Sequence, residues 1–411
     1  MIKVAPILLA LLLLTSCSSP AELDEAPGEY TPAELDCGGK SVTILHTPDE
    51  RSGVGLFPEE SDGSILGDAL TSRTKTVEEL YNVDVKDSIS ADAGELARRA
   101  TLSGETDYDC FLLPQTDTAY LTSEVLVYSF SELKNLQLDQ PWWKTELSKP
   151  FDFAAIGDIQ AAVCDLSPSA FDSVGCIFFD RSVIGDKPYK LAQSGKWTLD
   201  ELLELQKEGG TYLSDEECAH ILFIAAGENL VEIYDRRFRL TSRETLQSVG
   251  EKLCALYGHA AAEGDKPLFV CAEVGDADRY PGYGILPLPK LDKDGEYRSL
   301  MTNNNLMLTF SITTPDIDMT AAVIDALAYY GTAELLGTMY SLRAGNDNDL
   351  NMLKLIRDSR TLDLGSVFGI IDYSDGFAEA AADNSISDWL SERSASMIGQ
   401  LERLNEILGW R

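Results

Sequence analysis

The sequence lacks the residue patterns that mark the most familiar enzymes and metal proteins. It has only three histidines in 411 residues, and His46, His220 and His259 do not have the spacing of metal ligands. It contains no G-x-S-x-G nucleophile elbow, no H-E-x-x-H zinc motif, no Walker phosphate loop and no G-x-G-x-x-G segment after a strand. We therefore expect no catalytic residues, no metal and no cofactor, and we interpret the histidines as surface or packing residues.

Cysteine is also scarce and shows no pairing pattern. Besides Cys17 there are seven cysteines without C-x-x-C spacing: Cys37, Cys110, Cys164, Cys176, Cys218, Cys254 and Cys271. An odd number with this spacing is typical neither of a disulfide framework nor of a zinc site. Buried thiols are the expectation, and a bridge between some pair stays open because an exported protein can form one.

Basic residues are few compared with acidic ones. The chain has 33 lysines and arginines and 68 aspartates and glutamates, which gives a formal net charge of −35. Binding to nucleic acid requires clustered Lys and Arg to neutralise phosphates, and no stretch of this sequence has such a cluster. Nucleic acid is therefore excluded as a partner, while the acidity itself bears on solubility rather than on fold.

No apolar run is long enough to span a membrane, but a short one stands at the N-terminus. The run from Ile7 to Leu14 follows Lys3, and it is far shorter than the ~20 apolar residues of a spanning helix. It is typical of a signal peptide, and the sequence from Leu14 to Cys17 is typical of a lipobox, in which a diacylglyceryl group is attached to the cysteine. An ordinary secretory signal with a chance cysteine is the alternative.

The lipobox predicts a protein outside the cytoplasm that is anchored to the cell membrane through Cys17. Residues 18–39 are rich in Pro, Glu and Asp and have little to bury, so we expect a disordered acidic spacer there. The sequence as a whole is 44% hydrophobic. That content is enough for two ordinary cores, which predicts two lobes.

Strand and helix patterns alternate after the spacer. Strands are predicted at residues 40–47, 83–89 and 108–115, and helices at 65–81 and 91–104. This order predicts an α/β fold with a parallel sheet. Residues 159–182 predict two strands facing each other across a loop, and Thr198 is a candidate cap for the helix that follows it.

The end of the chain predicts strands between residues 281 and 309 and mainly helices from residue 316 to Arg411. This order is difficult to divide between two domains joined by one linker. We therefore expect several crossings between two lobes, an arrangement that can hinge about a cleft.

Four segments together resemble the family 1 extracellular solute-binding proteins of ABC transporters, in the lipoprotein subgroup of clostridia-like bacteria. They are "QPWWKTEL", "GKWTLDELLEL", "YGILPLPKLDKDGEYRS" and "MLKLIRDSRTLDLG". They stand behind a lipobox, and the resemblance covers most of the chain after about Lys40. It implies a two-lobed, type II periplasmic-binding-protein-like fold that binds a small solute, usually a carbohydrate, and delivers it to a membrane permease.

The expected division of the chain follows from this architecture. Lobe 1 should comprise residues 40–160 and 286–334, and lobe 2 residues 161–285 and 335–411, with crossings near Ile159 and Leu286. The ligand cleft should lie between the lobes. We expect a monomer whose partners are a small solute, the permease and, through its lipid, the membrane.

Aromatic and amide side chains in loops are the candidates for sugar binding, because sugars present apolar faces and directional hydroxyls. Trp142 and Trp143 follow a proline, and because adjacent residues in an extended stretch point opposite ways, at most one ring should face the cleft. Packing of both rings in the lobe is the alternative. Asn303, Asn304 and Asn305 precede a predicted strand, where a simple turn is the alternative.

Further candidates follow two of the predicted strands, since ligands of open α/β sheets sit outside the carboxyl ends of strands. His46 and Asp49 follow the first strand, and Asp117 and Tyr120 follow the third. For each of these residues a solvated loop is the alternative.

Two other functions remain open from the sequence. With 68 acidic residues, the chain offers many carboxylate pairs, and a surface glycoside hydrolase or lyase needs one pair held roughly 5–9 Å apart. A sensor or scaffold lipoprotein that does not transport is the other alternative. We favour binding over catalysis, because no catalytic motif accompanies the carboxylates.

Overall fold

The computed structural model of the protein describes residues 28–49, 55–151, 159–207, 212–213, 218–227, 229–241, 245–257 and 266–410. The predicted signal peptide, the lipobox with Cys17 and residues 18–27 of the predicted spacer lie outside these described residues. Among the helices that are described, none has both the length and the apolar character needed to cross a membrane.

The strands of the described residues form two main sheets. The strands are β1 (Lys40–His46), β2 (Val83–Ile89), β3 (Cys110–Pro114), β4 (Gly175–Asp180), β5 (Tyr212–Leu213), β6 (Val231–Ile233), β7 (Phe238–Leu240), β8 (Phe269–Glu273), β9 (Tyr283–Leu286), β10 (Ser299–Leu300), β11 (Leu306–Phe310) and β12 (Arg360–Thr361). One sheet has the order β11-β3-β1-β2 and the other β5-β8-β4-β9, while β6 pairs with β7 and β10 with β12.

Helices surround both sheets and dominate the last part of the chain. They are α1 (Ile65–Tyr81), α2 (Ala93–Ser103), α3 (Gln115–Ser123), α4 (Thr145–Ser148), α5 (Ser169–Asp172), α6 (Arg181–Ile184), α7 (Lys187–Gln193), α8 (Leu199–Lys207), α9 (Cys218–Ala225), α10 (Leu246–Tyr257), α11 (Ile317–Tyr330), α12 (Leu336–Arg343), α13 (Asp347–Asp358), α14 (Leu364–Val367), α15 (Phe377–Ala382) and α16 (Ile386–Ile407). The α/β class and the helical C-terminal part predicted from the sequence are confirmed.

Local sequence explains where the predicted helices begin and end. Ser64 caps α1 by accepting a hydrogen bond from Gly67 N at 2.9 Å, and Asn82 ends the helix in the left-handed conformation. Thr198 Oγ1 accepts from Glu201 N at 3.3 Å at the start of α8, so the predicted cap is present.

Lobe 1 is built on the sheet that contains the first three strands. β1 pairs in parallel with both β2 and β3, and β11 joins β3 in the antiparallel direction after a long excursion of the chain. Val42, Ile44 and Leu308 are fully buried in one core with α11. Lobe 2 contains the second sheet and a larger core to which α8, α9, α13 and α16 contribute.

The chain crosses between the lobes at three places in the described residues. The first crossing follows Leu166, because Ala162 still bridges to Leu308 of the lobe 1 sheet. The second crossing follows Met301, which bridges to Val174 of lobe 2. The third is a π-helical segment, Gly331–Leu335, that joins α11 to α12 without a break.

Two predicted crossings are therefore displaced from their observed positions. Ile159 stays within lobe 1, because its carbonyl accepts a hydrogen bond from Phe130 N at 2.8 Å. Leu286 is in lobe 2, because it pairs with Ile177 of β4. The segment that follows also packs on lobe 2, as the hydrogen bond of 2.8 Å from Leu199 N to Lys290 O shows.

The prediction of two facing strands within residues 159–182 is wrong. Only β4 forms there as a strand, and it pairs with β8 and β9. The residues before it bridge to lobe 1 instead, and the short helix α5 separates the two parts. The apolar pattern was that of two buried extended segments, but they belong to different lobes.

The second half of the predicted spacer is packed against lobe 1 rather than disordered. The ring of Tyr30 stacks on Tyr329 with centroids 4.7 Å apart, and its hydroxyl lies 3.1 Å from that of Tyr81. Cys37 is buried, and its N–H donates to the carbonyl of Tyr81 at 2.8 Å. Aromatic stacking offsets the conformational entropy that is lost when this otherwise polar segment becomes ordered.

The seven cysteines of the described residues are all free thiols, as expected for packing residues. Six of them are buried, and Cys254 is half-buried. Burial raises the pKa of the thiols of Cys110 and Cys164, so these groups are neutral and unreactive in the folded protein.

Candidate functional site

A cleft lies between the two lobes where several strands end. Its larger part is a cavity of about 730 Å³. Lobe 1 contributes the residues that follow β1 and the end of β3, and lobe 2 contributes the turn of 3-10 helix Val274–Arg279 that follows β8. The lining residues are Thr47, Pro48, Asp49, Ala91, Pro114, Gly275, Asp276, Asp278, Arg279, Asn303, Asn304 and Leu306.

A smaller cavity of about 340 Å³ continues the cleft on the other side of the second crossing. Gln115 and Thr116 line it from lobe 1, while His220 and Tyr373 line it from lobe 2. The remaining lining residues are Leu300, Met301, Thr302, Asn303, Asn304, Asp363, Ser366, Val367, Ile371, Asp372 and Ser374. Asn303 and Asn304 line both cavities, so the second crossing divides the cleft.

The two asparagines of this divider bond to opposite lobes. Asn303 Oδ1 accepts a hydrogen bond from Thr116 N of lobe 1 at 3.2 Å. Asn304 Nδ2 donates to Glu273 Oε1 of lobe 2 at 3.0 Å. The side chains of Asn303 and Asn304 therefore line the cleft, and their hydrogen bonds depend on the distance between the lobes.

Aromatic rings form one wall of the smaller cavity. The rings of His220 and Tyr373 are stacked with centroids 5.0 Å apart and an interplanar angle of 15°. Tyr373 is stacked in turn on Trp389, at 6.1 Å and 8°. Edge-on contacts with Phe377 hold both Tyr373 and Trp389 in place. A flat, supported ring of this kind is a suitable surface for an apolar face of a ligand.

Two carboxylates that line the cavities of the cleft accept hydrogen bonds from other groups of the protein. Asp363 caps α14 by accepting from Gly365 N at 3.2 Å and from Ser366 N at 3.1 Å, and burial raises its pKa. In the larger cavity, Asp278 accepts from Arg343, whose guanidinium also forms a bidentate pair with the buried Asp172 at 2.8 and 2.9 Å. The cleft thus offers directional polar groups held on rigid supports, an arrangement suited to binding a polar ligand.

Three of the residues predicted from the sequence line the cleft: Asp49, Asn303 and Asn304. The carboxylate of Asp49 accepts a hydrogen bond from Ser167 Oγ at 3.1 Å. Asp49 lies just after β1 at the cleft, and its role in binding a ligand stays a prediction. Asn305, in contrast, is fully buried and lines neither cavity.

The two predicted tryptophans are core residues. Trp142 is 0% and Trp143 is 3% exposed, so neither ring presents a face to the cleft. Both indole N–H groups donate to Asp325 Oδ1 of α11, at 3.2 and 2.7 Å. The alternative in which both rings pack in the lobe is therefore the one that the structure shows.

The remaining predicted residues also lie away from the cleft cavities. His46 is buried, with Nε2 lying 3.1 Å from Asp87 Oδ1. Tyr120 is exposed on α3 with the guanidinium of Arg98 above its ring. Asp117 lies in the first turn of α3, where burial raises its pKa.

Sequence reasoning missed the aromatic wall. The sequence predicts that His220 is a surface or packing residue, and it predicts mainly helix for the region that contains Tyr373. The sequence "IIDYSDG" contains a usable signal, since Asp, Ser and Gly around a tyrosine indicate a loop between helices. The turn with Asp276 and Asp278 follows β8, where the strand-end rule also applied.

No protein-family model matches the chain, and no curated protein matches it. Solved structures do match. The maltose-bound MalE3 of T. maritima has a TM-score of 0.52 and 14% identity, over 90% of this chain and 100% of that chain. The GacH receptor of Streptomyces glaucescens, solved without ligand and with acarbose, has a TM-score of 0.54 and 11% identity, over 91% and 100% of the two chains.

A third similar structure is the extracellular solute-binding protein family 1 from Alicyclobacillus acidocaldarius. It has a TM-score of 0.54 and 10% identity, over 92% of this chain and 99% of that chain. At such identities the likeness shows the fold and not the ligand. The chain therefore has the predicted two-lobed, type II periplasmic-binding-protein-like fold.

Proposed function

We propose that the protein is an extracytoplasmic solute-binding protein that captures a small carbohydrate between its lobes and delivers it to an ABC importer. The observation that carries this proposal is the stacked ring pair of His220 and Tyr373 in a cavity that amides from lobe 1 and from the second crossing also line. Two of the similar structures, MalE3 and the GacH receptor, were solved with maltose and with acarbose, both carbohydrates.

The chemistry of the smaller cavity fits a sugar. A pyranose ring has an apolar face that packs on an aromatic ring and equatorial hydroxyls that need donors and acceptors in defined directions. His220 ends the stack of rings that the described residues form, and Thr116, Asn303 and Asp372 line the same cavity. A ligand here would contact both lobes, and its binding would favour their closure.

The test is a screen of the purified protein against neutral mono- and oligosaccharides by thermal unfolding and calorimetry. A ligand at 100 times its dissociation constant stabilises the folded state by about 2.7 kcal/mol. We expect His220→Ala to weaken the affinity for the ligand found roughly tenfold or more, because it removes the half-buried ring that stacks on Tyr373 in the smaller cavity. Tyr120→Ala is the matched control, since Tyr120 is an exposed aromatic outside both cavities.

Two outcomes would contradict the proposal. Absence of binding by every saccharide in the panel would argue against a carbohydrate ligand, and an unchanged affinity in His220→Ala would place the ligand elsewhere. Turnover of a saccharide would favour the hydrolase alternative. Delivery to an importer is tested separately, as loss of uptake of the same sugar by cells that lack the protein.

A further inference from the structure

A group of basic side chains lies where the first and third crossings meet. Arg357 lies in the last turn of α13 and Arg360 begins β12, both in lobe 2, while Lys144 directly precedes α4 in lobe 1. Asp165 lies among them on the first crossing and accepts from Arg357 Nη2 at 2.7 Å. None of the three basic residues lines either cavity of the cleft.

The packing at this junction is close. Gly331 of the third crossing lies against Asp165, so that a Cβ at this position would be 2.1 Å from the carbonyl oxygen of Asp165. Thr332 Oγ1 donates to the Asp165 carboxylate at 2.9 Å. Burial alone would raise the pKa of Asp165, but the charges of Arg357 and Arg360 lower it to about 2. The carboxylate is therefore ionised, and its Oδ2 accepts from both Arg357 and Thr332.

The guanidinium groups of Arg357 and Arg360 have more buried donors than the described residues have acceptors for them. Arg360 is 6% exposed, and its Nη1 donates to Ala170 O at 2.6 Å and its Nε to Arg357 O at 3.0 Å. Its Nη2 is buried without an acceptor among the described residues, and so is Arg357 Nε. A buried, charged donor that lacks an acceptor is costly, and a bound species that supplies one removes that cost.

Lys144 adds a third positive charge. Trp143, its neighbour in the chain, bridges to Cys164, which places Lys144 beside the first crossing. Burial lowers the pKa of Lys144, and the charges of Arg357 and Arg360 lower it further. Among the described residues, these three cations face the buried carboxylate of Asp165 and the exposed carboxylate of Asp358, so one positive charge remains in excess, in a protein whose net charge is −35.

We propose that this junction is a binding site for a compact inorganic anion, chloride or phosphate, held by Lys144, Arg357 and Arg360. The anion would accept from the unpaired guanidinium N–H groups, for which the planar fork of arginine is well suited. It would contact lobe 1 through Lys144 and lobe 2 through the arginines, and would thus reduce the repulsion between like charges across the junction.

The test is thermal unfolding of the full-length protein at constant ionic strength, with sodium gluconate replaced stepwise by sodium chloride in one arm and by sodium phosphate in the other. We expect the unfolding midpoint to rise by several degrees and to saturate in at least one arm, which also identifies the anion. Arg360→Met should abolish this rise. If Arg360→Met does not fold, Lys144→Met, at a half-buried position, is the test variant, and it should also lose the rise.

Arg403→Met is the matched control, because Arg403 is an exposed arginine on α16 far along the chain from the junction. This variant should keep the full response to the anion. A midpoint in the parent protein that does not depend on either anion would overturn the proposal. A rise in the unfolding midpoint as large as that of the parent in both Lys144→Met and Arg360→Met would also overturn it.

Discussion

At the scale of single residues, buried carboxylates organise both the core and the junction. Asp325 accepts from the indole groups of Trp142 and Trp143 and from Gln137 N at 3.1 Å. Burial raises the pKa of Asp325, and these hydrogen bonds oppose the rise. A polar anchor inside lobe 1 thus explains why two adjacent tryptophans are buried together.

Asp165 gives a prediction about stability and pH. Its pKa is about 2 in the folded protein, below the ordinary value, so the carboxylate stabilises the fold at neutral pH. That contribution, about 2 kcal/mol from the size of the shift, is present above the unfolded-state pKa and is lost as pH falls from about 4 towards 2. Asp165→Asn should therefore be less stable than the parent at pH 7, and the difference should shrink across this interval.

Urea unfolding of both proteins at several pH values measures this difference. Asp383→Asn, at an exposed turn after α15, should match the parent throughout. A difference between parent and Asp165→Asn that stays constant down to pH 2 would show that the ionised carboxylate is not the source of the stability.

At the scale of elements, one continuous helical path carries the chain from lobe 1 to lobe 2. α11 is buried in the lobe 1 core and α12 in the lobe 2 core, and the π-helical segment between them widens the helix at the junction. Such insertions often occur at functional positions in helices. The lobes are thus connected by a continuous helical element as well as by two crossings made of turns, which restricts how they can move.

Gly331 at the start of the π-helical segment should not tolerate a side chain. A Cβ there would overlap the backbone of Asp165, and backbone cannot move aside as a flexible side chain can. Gly331→Ala should therefore lower the free energy of unfolding by roughly 1–3 kcal/mol, the usual cost of overpacking. Gly399→Ala in α16 is the control, because nothing lies within 4 Å of its added Cβ.

The control should instead be stabilised by about 0.5–1 kcal/mol, since alanine restricts the unfolded chain more than glycine does. Equilibrium unfolding in urea measures both variants. If Gly331→Ala is as stable as the parent protein, the contact between the first and third crossings is not as close as described.

At the scale of the whole molecule, anchoring is the remaining prediction from the N-terminus. Cells labelled with palmitate should incorporate the label into the protein, because the predicted lipobox would direct lipid to Cys17. Cys17→Ala should lose the label and be released from the membrane. Cys254→Ala, which changes a half-buried thiol of lobe 2, should keep both label and location. Label that persists in Cys17→Ala would refute the lipid anchor.

Much of the fold could be predicted from the sequence, and little of the site. The bounds of α1 and β2 follow from apolar periodicity and caps, which are local. The position of Asp49 at the cleft could be predicted, because its place just after a strand is also a local feature of the sequence. His220 and Tyr373 could not be predicted as a pair, because only the packing of α9 against α15 brings His220 of α9 beside Tyr373, which precedes α15.

The sequence by itself determined the first three strands, the helices between them, the α/β class and the helical C-terminal part, because these depend on the spacing of apolar residues along the chain. Only the tertiary structure decided that Trp142 and Trp143 are core residues, that the second crossing follows Met301, and that Tyr30 is packed against lobe 1. The physical reason is the same in each case. Whether an apolar or aromatic side chain is buried, and against which lobe, depends on partners distant in the sequence, and local spacing carries no information about them.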